Sequence, residues 1–224
     1  MKKVPALLPL SKSEEVCKVL LTVTFGYIFC FLFLMDYTNP EMNIFYRWST
    51  TSQSALRHPI LFAIYGMLML ISFLVNLDYL RRRYEVSSKI VAVLQYLGSL
   101  GMLVTLFVKT SQEKDLKGIV MYEVHQKAAI VFGAASAFCL FGVILLLYKK
   151  SKRFLPFVIG GIIFIVTVIP AFIFKLCGFV ETAPTMIAMV VLYFLNFSPK
   201  PLRWIGEANG SAAKPKAEKK KVKA

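Results

Sequence analysis

The chain has 224 residues, of which 57% are hydrophobic, and a formal net charge of +15. A mean hydropathy of +0.64 and repeated long apolar runs exclude an ordinary soluble domain. The charge does not point to nucleic acid, because no basic stripe is interleaved with stacking aromatics; the aromatics lie within the apolar runs.

The N-terminal segment, 1–18, opens with Lys2 and Lys3 but is interrupted by Pro5 and Pro9. It lacks a small-residue cleavage site, so it is not expected to be a cleaved signal. Cys17, at the expected membrane edge, is a candidate for palmitoylation. The first predicted span is Val19–Met35, extendable to Val16 and Tyr37. A long segment, Asp36–His58, precedes the second span, Pro59–Leu77. Arg81, Arg82, Arg83 and Lys89 separate it from the third, Ile90–Val108, where Gly98 and Gly101 allow close helix approach. A second long segment, Lys109–Lys127, leads to the fourth span, Ala128–Tyr148. There Ala129, Gly133 and Ala137 recur at four-residue spacing and predict a packing face. After Lys149, Lys150, Lys152 and Arg153 comes the fifth span, Phe154–Phe174, with a bend expected from Gly160, Gly161 and Pro170. The turn Lys175–Thr182 precedes the sixth span, Ala183–Phe197. A helix needs about 20 apolar residues to cross a ~30 Å hydrocarbon core, which these runs approach or meet.

Within lipid only helices satisfy their own backbone hydrogen bonds without closing a barrel. The expected fold class is therefore all-α: a polytopic membrane protein with six transmembrane helices. Placing the N-terminus in the cytosol puts 20 of the 27 Lys and Arg residues on the inner side, while the acidic residues divide 6 and 6. That bias in bases predicts that both termini are cytosolic. The domains are then a cytosolic segment 1–18, a six-helix membrane domain 19–200, and a basic tail 201–224. The tail from Gly206 has too few apolar residues to bury and is expected to be disordered. Its bases serve as a solvated orientation signal by default, and would attract anionic lipid at roughly 1 kcal/mol per charge.

Inside the spans the polar residues are Asn76, Gln95, Ser99 and Thr105, with no charge clearly mid-span. Pumps and ion-coupled carriers need such charges, so these classes are disfavoured. The ionisable groups gather instead at the outer ends: His58, His125, Glu123, Lys127, Lys175 and Glu181, with Asp36, Glu41, Arg47 and Arg57. Interfacial anchoring is the default role for them. Recognition of a lipid or glycolipid head group, with Arg or Lys on phosphate, and acid–base catalysis by His and carboxylates are the sharper alternatives. The four Cys show no metal or disulfide spacing, and no nucleophile motif or phosphate loop occurs. No metal and no cofactor are expected. Two sequons, at Asn196 and Asn209, fall on the predicted cytosolic side and should stay unmodified.

Three stretches carry a family resemblance. Val124-His-Gln-Lys-Ala-Ala-Ile-Val-Phe132 opens the fourth span after a long outer segment. Trp48-Ser-Thr-Thr-Ser52 is followed by Ile60-Leu-Phe62, and Tyr84 follows the arginine run. Together they resemble the six-span family of the damage-regulated autophagy modulators and the post-GPI-attachment lipid-remodelling factors, over about Val19 to Phe197. The family's loop Asp and Gly are Thr50 and Ser52 here, and Arg57 stands where it has a Glu. Ser49, Thr51 and His125 match the pattern. With His58, Glu123 and Lys175 they form the candidate outer-face site. The resemblance implies a non-enzymatic or not clearly enzymatic endomembrane protein, with the Golgi and lysosomal or endosomal membranes favoured over the plasma membrane. An accessory factor in membrane-lipid or GPI-anchor lipid remodelling is the first reading. A regulator of autophagy or lysosomal function is the second, and a membrane-embedded acyl-transfer or hydrolytic enzyme with an outer His site is the third. The expected partners are the bilayer, a lipid or glycolipid head group on the outer face, and anionic lipid on the basic tail.

Overall fold

A computed structural model of the chain describes residues 10–38, 55, 58–108, 121–173 and 178–208, with side chains for 13–31, 55, 58–108, 123–168 and 180–208. Among the described residues the regular structure is entirely helical. In chain order the helices are α1 (Leu10–Thr38), α2 (Pro59–Arg83), α3 (Lys89–Phe107), α4 (Met121–Lys150), a 3-10 turn at Lys152–Phe154, α5 (Leu155–Ile173), α6 (Gly178–Phe197) and α7 (Pro199–Ala208). Four of these, α2, α3, α4 over Glu123–Lys150 and α6 over Val180–Phe197, are long and apolar enough to cross a bilayer. At 1.5 Å per residue, the 25 residues of α2 extend about 37 Å. Helices α1 and α5 fall on the first and fifth predicted spans, and their described side chains stop at 31 and 168.

The surface has the polarity expected of a protein solvated by lipid. Ile90, Tyr96, Leu100 and Phe107 on α3, and Ile159, Ile162, Ile163 and Val166 on α5, are all exposed. The buried residues include Ile28, Leu77, Leu80, Val143, Leu147, Leu192 and Leu195, which line the interior. Apolar residues thus occupy both the interior and the outer wall, so hydrophobicity alone cannot hold the helices together. Close packing and a few polar contacts must do so.

Small residues supply that packing. Helix α3 lies along α4, and a Cβ at Gly101 would come 2.8 Å from the Ala128 carbonyl oxygen and 2.8 Å from the Phe132 nitrogen. One at Gly98 would come 3.0 Å from the Ser136 hydroxyl. The α4 atoms nearest these glycines belong to Ala128, Phe132, Ala135 and Ser136. Helix α5 runs unbroken through Gly160 and Gly161. Gly161 admits the Phe141 ring, which an added Cβ would meet at 2.6 Å.

Helix ends depart from the predicted spans where polar partners extend them. Helix α1 begins at Leu10 and carries Lys18 paired to Glu14 at 2.9 Å, one turn apart. The boundary drawn after Lys200 falls inside α7, so residues 201–208 are helical. They are so because Trp204 and Ile205 find apolar partners on the helix ends. Residues 209–224 of the expected tail lie outside the described residues.

Candidate functional site

His125 sits in the opening turns of α4 and is 1% exposed. Its Nδ1 lies 3.0 Å from the carbonyl oxygen of Val108, the residue that ends α3. A carbonyl only accepts, so this nitrogen carries the proton and donates. The ring also faces Phe62 of α2 at 6.1 Å between centroids. One side chain therefore pins three helices at this end of the bundle. His58 is half-buried in the position preceding α2, and its side chain makes no capping bond. Its carbonyl accepts from the Phe62 N–H at 3.0 Å, which places His58 one turn from the ring beside His125. Glu123 is exposed and paired with Lys127 at 3.5 Å across one turn. Ser49, Thr51 and Lys175 lie outside the described residues. The structure thus gathers His125 and Phe62 and leaves Glu123 on the rim. Tyr65, whose ring lies 6.0 Å from that of Phe62, is buried, as is Thr182 of α6, and neither stood out in the sequence as a site residue.

The opposite end is a basic face built by helix ends. Glu14 of α1 accepts from the Tyr79 hydroxyl at 3.1 Å and lies 3.6 Å from Arg83. Arg83 also donates to the Tyr79 hydroxyl at 2.8 Å. The bond from Lys18, and after it Tyr79 and the charge of Arg83, outweigh partial burial and hold the Glu14 carboxyl below its ordinary range. Arg81 donates to the Gln95 side-chain oxygen at 3.1 Å, and Gln95 donates in turn to the Leu74 carbonyl at 3.3 Å. The Tyr84 hydroxyl donates to the Leu195 carbonyl at 2.6 Å. Lys150 donates to the carbonyls of Tyr84 and Glu85. These contacts put the start of α1, the α2–α3 turn, the end of α4 and the end of α6 on one face. Arg153 and Glu207 form an ion pair that adds α7.

Just inside the basic face lies a polar contact between two residues that no local sequence pattern joins. Asn196 of α6 donates to the Asn76 backbone carbonyl at 3.1 Å and to its side-chain oxygen at 3.2 Å, and both residues are fully buried. The Asn196 sequon is therefore closed to a glycan. Cys17 is also fully buried, its thiol directed at the Val75 carbonyl at 3.8 Å, so it does not offer a surface for lipidation. Among the described residues no three His, Cys, Asp or Glu side chains gather as a metal site.

No family model, no curated protein and no solved structure matches this chain.

Proposed function

We propose that α1 and α5 complete a set of six membrane spans, with the basic face in the cytosol and both termini on that side. The observation that carries this reading is the pairing of an exposed aliphatic wall, Ile159 through Val166 on α5, with bases clustered at one end of the helices. Within that frame the chain acts as a lipid-linked accessory factor of endomembranes, with GPI-anchor lipid remodelling as its specific role. That role rests on the resemblance carried by His125 and the Trp48–Ser52 stretch. An accessory role is supported by what His125 does: its ring is buried, and its Nδ1 is engaged by the Val108 carbonyl.

Loss of the protein should lower retention of GPI-anchored proteins at the surface of cells that carry them. Unchanged retention with altered autophagic flux would replace this role by regulation of autophagy, and a lysosomal rather than Golgi location would agree. Catalysis is tested separately. His125→Asn can keep a donor to Val108 while removing the acid–base group, and His58→Ala removes the second imidazole. The accessory reading expects this double variant to function; inactivity at normal protein level and location would establish the enzyme reading instead.

A further inference from the structure

We propose that α7 and the start of α5 form a binding surface for anionic phospholipid head groups. Helix α7 folds back across the ends of α5 and α6. The Trp204 ring meets Phe154 edge-on at 5.3 Å and lies 6.2 Å from Phe194. Pro201 is buried and Ile205 packs on the core beside it, so the other face of α7 carries Lys200, Arg203 and Glu207 at helical spacing. Glu207 reaches Arg153 at the foot of α5. Lys152, Arg153, Lys200 and Arg203 are all exposed, four cations against the one carboxylate among them.

The chemistry of the occupant follows from what adjoins those cations. Leu155, next to Arg153, is 45% exposed, and Leu202 on α7 is 41% exposed. The exposed row of α5 continues from Leu155 through Ile159, Ile162 and Val166. The cations therefore cap an unbroken aliphatic wall. An acidic peptide or a nucleic acid would meet the charges alone, whereas the wall beside them takes acyl chains. A phospholipid presents a phosphate above an acyl chain, and matches both halves at the same spacing. Partly exposed Leu202 and half-buried Trp204 then lie at the boundary between head groups and chains, where such side chains are stable. The assignment rests on bilayer insertion alone, not on which side of the cell the face meets or on GPI-anchor remodelling.

Only two tryptophans are present, so Trp48→Phe leaves Trp204 as the sole indole, excited at the red edge of its band where tyrosine does not absorb. The full chain carrying this substitution is reconstituted in phosphatidylcholine vesicles containing a rising share of lipid with brominated chains, which quench nearby indoles. Brominated phosphatidylserine should quench Trp204 at a share on the order of fivefold lower than brominated phosphatidylcholine, the preference expected for about one effective cation near the surface. Adding Lys152→Gln, Lys200→Gln and Arg203→Gln, all at exposed positions, should bring the two curves together. Coincident curves before those changes would overturn the proposal, as would a preference that survives them. Absence of quenching by either lipid would remove α7 from the membrane surface altogether, and would leave the proposed six-span topology and cellular role to their own tests.

Discussion

At Gly101 the third helix has no room for a side chain, because the atoms that a Cβ would meet 2.8 Å away belong to the α4 backbone at Ala128 and Phe132. A flexible side chain could rotate aside; a helix backbone cannot. Gly101→Ala should therefore push α3 from α4 and destabilise the fold by about 1–3 kcal/mol, the usual range for overpacking. Gly26, whose Cβ would meet nothing within 4 Å, is the control. Gly26→Ala should be neutral or stabilising by up to about 1 kcal/mol through helix propensity. Thermal unfolding in detergent compares the two, and equal midpoints would refute the packing argument. Glu85 presents the reverse case. Its φ of 49° lies where an L side chain costs roughly 1–2 kcal/mol. Glu85→Gly should raise the midpoint accordingly, since the bonds across this turn, Glu85 N–H to Arg82 and Val86 N–H to Arg81, use only backbone. Gly101 was legible as a small residue in an apolar run. Glu85 was not, because nothing in its neighbours announces a left-handed turn. His125 was legible as an interfacial residue, but its burial depends on Val108 and Phe62, which the sequence places 17 and 63 positions away.

Two contacts decide how the elements hold together at the basic face. Trp204 fastens α7, with Phe154, Phe157 and Phe194 around its ring. A second tie, from α7 to the turn before α5, is the Arg153–Glu207 pair, whose side chains are 59% and 33% exposed and which is weak for that reason. Trp204→Ala should release α7 while the membrane helices persist. Hydrogen exchange should then rise at residues 199–208 with little change in α2 to α4, and unaltered protection of α7 would show that the indole is not its fastening. At this face the contact of α1 with α2 through Glu14 is electrostatic and pH-dependent. Glu14 has a lowered folded-state value, so its contribution is complete above the ordinary value of 4.5 and is lost as the pH falls through the lower folded value. Glu14→Gln should flatten the acid limb of the stability profile below that point and leave the profile near neutrality parallel to the parent's. The α1 extension and α7 were poorly legible because span reading counts apolar residues. Each owes its helix to polar or aromatic partners on other elements.

For the whole molecule, the apolar runs made the all-helical fold legible, since each described helix falls on one of them or adjoins it. Their packing order was not legible, because lipid-facing and core-facing side chains are equally apolar. Asn76 and Asn196, the buried pair between α2 and α6, are 120 positions apart, and no local pattern joins them. The orientation of the bundle is a property of the same scale. The contacts of Glu14 with Arg83, Lys150 with the Tyr84 carbonyl and Arg153 with Glu207 fix which helix ends share a face, but a bilayer must choose the side on which that face resides. The orientation proposed above, from the excess of Lys and Arg there, puts that face in the cytosol. Lys149 and Lys127 are both exposed and lie at opposite ends of α4, so they report on the two faces without disturbing the core. Cys17 and Cys139 are buried, Cys30 is exposed and Cys177 lies outside the described residues, so both variants also carry Cys30→Ser and Cys177→Ser, and the protein with those two changes alone is the labelling control. In intact cells a membrane-impermeant maleimide applied at the surface should modify Lys127→Cys and spare Lys149→Cys; after selective permeabilisation both should react. For protein held in internal membranes, the same rule applies with the lumen in place of the exterior: Lys149→Cys reacts once the plasma membrane is opened, and Lys127→Cys only when the organelle is opened as well. The opposite order at the appropriate membrane would invert the topology. Both sites reacting from one side would mean that α4, the 30-residue helix at the centre of the tightest pairing, does not cross.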